Sequence, residues 1–391
     1  MSFLSINQKE LRKILTVCSQ ISPRVSDVDI FTYTKVRVQT DKVQISCFNS
    51  STFFQSAITP VQIDDLTEPV EFLIKTDLFA TTVGLITDET VGLTLDLDKL
   101  TLVVHGSTSK HTLRIKTDEL SDFAQPIRQP DKLQATLTLD TNEFLKTNKV
   151  AQVSVGNPRT VYQQEFLHIC FTLRPEANQL VIVSTDRHRM VKSTLTPKYS
   201  KVAEALQVGS KNYLINPKSL NIVVGLIDTN SELEFSFEED ALWVKLNQAE
   251  LAIKYGEGTY PDYEKILPQS FACSFLINTK ELLEALKQVF YLARLNTVNK
   301  SVTVQVEPAQ NQLKLVTTTN DGYASESVVN MLTYEGSQEN WSQSFNAEYL
   351  LDYIATVDTE KLLWEANPGK PSLLSPENQK PRQIYLVSGL R

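Results

Sequence analysis

Titratable side chains crowd together in one stretch, Ser184-Thr185-Asp186-Arg187-His188-Arg189-Met190. A histidine two residues from an aspartate could serve as a general base whose tautomer the carboxylate fixes. That chemistry also needs a nucleophile on a sharp turn or a partnered glutamate, and neither accompanies the cluster. The other reading is a tight turn after the apolar strand Val181 to Ser184, its charges satisfied by neighbours. No glycine-rich phosphate loop, CxxC or HExxH occurs. Four histidines and four scattered cysteines give a metal site little to build from. The sequence thus predicts no catalytic residue, no cofactor and no metal, and an enzyme acting through His188 and Asp186 is a remote third reading. Cys18, Cys47, Cys170 and Cys273 each lie in an apolar run and read as reduced core residues of a cytoplasmic protein.

Basic side chains recur on helix faces. Lys9, Arg12 and Lys13 share one face of the first helix; Lys146 and Lys149 make a shorter version. Lys280, Lys287 and Arg294 follow at seven-residue steps. For one helix this is an ordinary solvated face. Its return at equivalent places points to phosphate contact, although Glu348 and Asp352 make the last helix acidic.

The elements that must carry these residues come from an internal repeat. Ile6-Asn7-Gln8-Lys9-Glu10-Leu11, Leu139-Asp140-Thr141-Asn142-Glu143-Phe144 and Ile277-Asn278-Thr279-Lys280-Glu281-Leu282 each place an apolar strand end before a polar cap and an amphipathic helix. A second motif, Ile74-Lys75-Thr76-Asp77, Ile215-Asn216-Pro217-Lys218 and Phe345-Asn346-Ala347-Glu348, opens another helix in each copy. Between them the chain alternates with period two, as in Val43-Gln44-Ile45-Ser46, Leu233-Glu234-Phe235-Ser236-Phe237 and Val302-Thr303-Val304-Gln305-Val306. The reading is α+β: three tandem similar domains, each with two helices and antiparallel sheets, over residues 1–128, 129–257 and 258–391. Phe123 to Asp131 and Gly256 to Pro268, rich in proline and glycine, read as linkers crossed by few contacts. Three similar domains in a row suggest a binding surface more than a catalytic cleft.

The chain has 391 residues, is 41% hydrophobic and 21% charged, and carries a formal charge of −8. No apolar stretch approaches the roughly 20 residues that cross a bilayer, and the N-terminus runs into a charged helix rather than a signal peptide. The negative charge argues against indiscriminate nucleic-acid binding, but not against one basic face.

Thr185-Asp186-Arg187-His188-Arg189-Met190 resembles the Thr-Asp-x-His-Arg-Leu signature of the bacterial β sliding clamp family, the processivity subunit of DNA polymerase III. Tyr260-Pro261-Asp262-Tyr263, Phe345-Asn346-Ala347-Glu348-Tyr349-Leu350-Leu351-Asp352 and Ile384-Tyr385-Leu386-Val387 are similar to further family segments in the same order. The resemblance covers the whole chain. It implies a DNA-clamp fold, half of a six-domain ring closed by a head-to-tail homodimer around double-stranded DNA without sequence preference. It also implies docking of the polymerase III alpha subunit and the clamp loader through short apolar peptides, in a cytoplasmic, nucleoid-associated protein with no membrane contact.

The peptide pocket it implies lies between the second and third domains: Phe166, Thr185, His188, Arg189, Met190, Pro261, Lys265, Ile266, Leu386, Val387, Ser388, Gly389, Leu390 and Arg391. The DNA-facing set is Lys9, Arg12, Lys13, Arg24, Lys146, Lys149, Lys280 and Lys287; the dimer interface takes Lys75, Lys110, His111, Arg114, Ala293 and Glu326. Arg187 stands where the family has a small residue, and the tail Ser388-Gly389-Leu390-Arg391 lacks a final leucine. The edge strand Ser109 to Leu113 is polar, so the expected dimer is weak and salt-sensitive. The runner-up function is a clamp-fold scaffold that keeps the peptide pocket and closes weakly on DNA.

Overall fold

The structure, a computed structural model, describes residues 2–64, 66, 68–123, 126, 128–203, 211–228, 231–296 and 299–390. It forms two compact units. Unit 1 comprises Met1–Thr141, Lys198–Glu204 and Lys218–Tyr255; unit 2 comprises Asn142–Pro197, Ala205–Pro217 and Gly256–Arg391.

Every repeated motif is a strand running straight into a helix. The pairs are Ser2–Asn7 with α1 (Gln8–Ile21), Val70–Lys75 with α2 (Thr76–Leu85), and Ala135–Leu139 with α3 (Thr141–Ala151). Lys211–Ile215 precedes α4 (Pro217–Leu226), Cys273–Asn278 precedes α5 (Thr279–Ala293), and Trp341–Asn346 precedes α6 (Ala347–Ile354). The caps explain the starts. Asn7 Oδ1 accepts the Glu10 N–H at 3.1 Å, and Asn278 Oδ1 accepts those of Lys280 and Glu281 at 3.0 and 3.1 Å. Asn346 Oδ1 accepts that of Glu348 at 2.9 Å. Each cap satisfies donors a helix leaves orphaned and contributes about 1 kcal/mol. At α4, Pro217 takes the first helical position, where its missing N–H costs nothing.

On α1, Leu11, Ile14, Leu15 and Cys18 are buried as the 3.6-residue period requires, while Lys9, Arg12 and Lys13 stay exposed. Buried Gln8 fastens α1 to α2: its side-chain amide donates to the Val83 and Ile86 carbonyls at 3.2 and 2.9 Å.

Each unit holds one continuous antiparallel sheet, of fourteen strands in unit 1 and twelve in unit 2 among the described residues. In unit 1 the seam pairs Thr52–Ile58 with Ala249–Lys254, placing Phe53 opposite Ala252. In unit 2 the seam pairs Arg189–Leu195 with Arg382–Val387, placing Met190 opposite Leu386. The strand alternation seen in the sequence buries one face: Val302, Val304, Val306, Leu313, Leu315 and Phe345 join Trp364 in the core of unit 2. All four cysteines are buried and unpaired.

The two expected linkers are not sparse in contacts. Phe123 is buried against Phe48 and Trp243, and Arg128 stacks on Trp243 while bonding Glu250 at 2.7 Å. Tyr260 and Tyr263 are buried against Met190, Leu214 and Leu386. Proline and glycine marked irregular backbone correctly; the aromatics between them supply the anchoring that composition concealed.

Candidate functional site

The hairpin Gln179–Thr185/Arg189–Leu195 displays the charged cluster at its turn. Asp186 organises it. One carboxylate oxygen accepts the backbone N–H groups of His188 and Arg189, both at 3.0 Å, and the other accepts Arg189 Nε at 2.9 Å. Thr185 Oγ1 donates to the Arg189 carbonyl at 2.7 Å and accepts the Arg187 N–H at 3.1 Å. Arg187 itself has φ +80°, a left-handed conformation that favours glycine. The Asp186 carboxylate is therefore committed to the turn and to Arg189, not to the His188 ring, which stacks on Tyr349 at 6.3 Å. The dyad considered from the sequence does not form. Among the described residues no three His, Cys, Asp or Glu side chains converge as a metal site.

Arg189 ties the hairpin to α6. Its Nη1 donates to Asp352 Oδ2 at 2.8 Å, and its guanidinium lies 4.2 Å from the Tyr349 ring centre. Burial opposes its charge, but Tyr385, Asp352 and Asp186 hold its pKa above the ordinary arginine value.

The pocket set predicted from the sequence divides between the two faces of the seam. Opposed residues of antiparallel strands share a face. Thr185, Met190 and Leu386 therefore lie together, over Tyr260, and Phe166 packs edge-on to Tyr260 at 6.2 Å. Arg189 and Val387 lie on the opposite face with Tyr385 and α6. Met190 and Val387 are buried completely, so they support the site from beneath instead of lining its surface. Pro261, Lys265 and Ile266 are exposed beside it. The short helix Tyr263–Ile266 is held to the sheet by Glu264, which accepts from Lys192 at 2.7 Å and from Arg174 at 2.5 Å. These cations, outweighing burial, lower its pKa. The tail closes the set: Ser388 N–H donates to the His188 carbonyl at 2.9 Å, and Leu390 N–H to that of Ser344 at 2.7 Å. A Cβ on Gly389 would lie 2.0 Å from the Gln343 amide nitrogen, so only glycine fits there unless that side chain moves. Arg391 lies outside the described residues.

The eight predicted DNA-facing residues are all exposed. Two have partners: Lys13 Nζ donates to the Leu226 carbonyl at the end of α4, 3.2 Å away, and Lys149 lies 3.8 Å from Asp358. Arg159 and Tyr162, in the segment after α3, are also exposed; Tyr162 shows 90% of its surface.

Two open stretches of strand edge carry residues expected at the dimer interface. Lys110–Lys116 pairs fully with Thr101–His105 but meets Val70–Lys75 only through Ile115 and Lys116, leaving Lys110, His111 and Arg114 on a free edge. Lys75, nearby on the neighbouring strand, bonds Asp29 at 2.8 Å and sits over the Tyr33 ring. In unit 2, Ala324–Gly336 pairs with Cys273–Asn278 only from Met331 onward, so the stretch carrying Glu326 is open. Ala293 is a correction: it was expected on this interface, but it is fully buried in the core on the inward stripe of α5. The surface is offered instead by Tyr291, Leu295, Tyr323 and Val328, all exposed. Gln288, one turn before Tyr291, accepts from Ser327 at 3.0 Å and sets this apolar stripe beside the open strand.

Residues 264–386 match the family model for the C-terminal domain of the DNA polymerase III beta subunit. The beta sliding clamp of Bacillus subtilis is 22% identical over 363 residues, covering 92% of this chain and 91% of that protein. The crystal structure of the DNA polymerase beta subunit of Streptococcus pyogenes superposes with a TM-score of 0.86 at 18% identity, covering 100% of both chains. The Helicobacter pylori beta clamp bound to a DNA ligase peptide superposes with a TM-score of 0.82 at 16% identity, again over 100% of both. The fold is that of the beta sliding clamp.

Sequence reading missed several residues that this clamp fold brings to the candidate site. Tyr349 and Asp352 sit three apart on α6 and so share the face that meets Arg189. The motif Phe345 to Asp352 contained them, but nothing in it named their partner. Tyr260 was read as part of the segment Tyr260 to Tyr263 but was not placed in the pocket. A cavity of about 1090 Å³, bordered by Glu264's partners Arg174 and Lys192 and by Phe271, Glu365 and Arg382, has no counterpart in the sequence reading.

Proposed function

We propose that this chain is a DNA sliding clamp that encircles duplex DNA and tethers a replicative polymerase and other partners through short apolar peptides. The observation that carries the reading is the recurrence of exposed basic residues on the first helix of each repeat: Lys9 and Arg12, Lys146 and Lys149, Lys280 and Lys287. On a chain of net charge −8 these provide phosphate contacts that are weak, salt-sensitive and indifferent to sequence, as sliding demands. Exposed Arg24 and Arg159 add positive charge outside those helices. Among the described residues no base-reading element accompanies them.

The three-domain organisation over residues 1–128, 129–257 and 258–391 belongs to this reading, as does a head-to-tail homodimer. The two open edges suit such a contact: one basic, with Lys110 and Arg114, the other carrying Glu326 beside Tyr291 and Leu295. Strand pairing across them would add hydrogen bonds to an apolar patch. The apolar stripe makes that side stickier than the sequence suggested.

The peptide site is assigned to unit 2, around Phe166, Thr185, His188, Tyr260 and the tail. The Helicobacter pylori beta clamp of this fold is bound to a DNA ligase peptide, which supports a peptide-binding role; the alpha subunit and clamp loader are the partners this reading takes. No helix among the described residues is long and apolar enough to cross a membrane. A cytoplasmic, nucleoid-associated location is part of the proposed reading. No enzymatic step is ascribed to the chain.

The test is retention on DNA. Loaded by a clamp loader onto nicked circular duplex, the protein should stay through gel filtration and leave when the circle is cut. Equal retention on linear DNA would refute encirclement. Release from intact circles would favour the scaffold that closes weakly, a reading the polar edge Lys110–Arg114 supports.

A further inference from the structure

Unit 1 repeats the architecture of the candidate peptide site residue for residue. The hairpin strands pair Phe48 with Phe53 in unit 1 and Thr185 with Met190 in unit 2. The seams then place Ala252 opposite Phe53 and Leu386 opposite Met190. Behind them, Trp243 pairs with Ala252 as Leu373 pairs with Leu386. The turns match as well. Asn49 Oδ1 accepts the N–H groups of Ser51 and Thr52, both at 2.9 Å, as Asp186 Oδ1 accepts those of His188 and Arg189. A 3-10 turn precedes the first strand of each copy, with phenylalanine third: Phe31 in Asp29–Thr32 and Phe166 in Gln164–Leu167. Each copy is finally covered by an aromatic from the following segment, Phe123 or Tyr260.

The copies differ in bulk. Where unit 2 has Thr185, Met190 and Leu373, unit 1 has Phe48, Phe53 and Trp243. The Phe48 ring is wedged edge-on between Phe31 at 5.2 Å and Phe123 at 4.8 Å, and Phe48 and its counterpart Thr185 are both buried. In unit 2 the Phe166 and Tyr260 rings stand 6.2 Å apart, and a threonine takes the place of the wedge.

We propose that unit 1 holds a second copy of the apolar-peptide cleft, plugged by Phe48, and that the size of the side chain at positions 48 and 185 decides which copy can accept a peptide. The ligand class is a short segment with an aliphatic and an aromatic anchor. The inference rests on the peptide-site reading for unit 2. The chain supplies its own precedent that phenylalanine suits this hairpin position, because the matching turn after Phe48 keeps its hydrogen bonds without a threonine hydroxyl.

The experiment is calorimetry on the full-length protein with the pentapeptide Gln-Ser-Leu-Ser-Phe, each variant checked by thermal melting. Wild type should bind one peptide per chain. T185F should weaken binding at least about tenfold, the loss of an anchor's burial, while still melting as a cooperatively folded protein, and T185S should bind as wild type does. F48T, which opens the plugged copy, should raise the stoichiometry from one peptide per chain to two. If T185F binds as tightly as wild type, or if folded F48T still takes one peptide, the inference is overturned. A wild-type chain that takes no peptide overturns the site reading itself, and is distinguished from the other failures by appearing before any substitution.

Discussion

The guanidinium of Arg189 bonds Asp352 at 2.8 Å while its Nε holds Asp186 at 2.9 Å, so one side chain joins the hairpin turn to α6. Arg189 and Asp186 are nearly buried, whereas Asp352 is largely exposed. The two halves of this link should therefore respond unequally. R189A leaves a buried carboxylate without its cation and should cost about 2–4 kcal/mol. D352A removes an exposed partner and should cost about 0–1 kcal/mol. Urea denaturation of both variants checks the order; equal losses would mean that the α6 contact dominates.

Arg187 occupies a glycine-like conformation at φ +80°. R187G relieves the steric cost of a side chain there, offset in part by a more flexible unfolded chain, and should leave stability unchanged or raise it by up to about 1 kcal/mol. R187V places a β-branched residue in the same conformation and should lower stability by about 1–2 kcal/mol. The gap between the two melting temperatures is the readout, and its absence would contradict the strain.

Glu264 fixes the segment around Tyr263 through Lys192 and Arg174, and its pKa lies below the ordinary value of 4.5. On acidification the unfolded chain binds this proton before the folded one does. The stabilisation is thus complete above pH 4.5 and is lost as pH falls through the lower folded value. With the carboxylate partly exposed, the contribution is about 1 kcal/mol or less. E264Q should lower the melting temperature at pH 7, and the difference from wild type should shrink below pH 4.5. A difference independent of pH would assign the effect to packing.

The tail is held by Ser388 and Leu390 against His188 and Ser344. Two apolar anchors at about 1.5–3 kcal/mol each, less the cost of ordering, give about micromolar affinity for a Gln-x-aliphatic-x-Phe peptide. Deleting Ser388 to Arg391 should abolish it. Unchanged binding by the truncated protein would place the site elsewhere.

Self-association should weaken with salt, because the edge carrying Lys110 and Arg114 and the edge carrying Glu326 offer opposite charges in solvent. The exposed Tyr291 and Leu295 should leave a salt-resistant remainder. Sedimentation over a salt series, repeated with Y291S, separates the contributions. A dimer indifferent to Y291S at high salt would show that this stripe lies outside the contact.

What the sequence determined by itself is local. Strand alternation, Asn caps and the 3.6-residue stripe on α1 are short-range consequences of side-chain geometry, so the α+β class and all six strand–helix junctions were legible. The turn from Asp186 to Arg189 was legible as a turn for the same reason. The tertiary structure decided what depends on pairing across long separations. Register at the seam set Met190 opposite Leu386, and that register, invisible in either strand alone, divided the predicted pocket set between two faces. It gave Arg189 its partner Asp352, 163 residues away. Ala293, by contrast, was a local signal passed over: it continues the stripe Leu282, Leu286 and Val289 at helical spacing into the core and leaves Tyr291 and Leu295 outside.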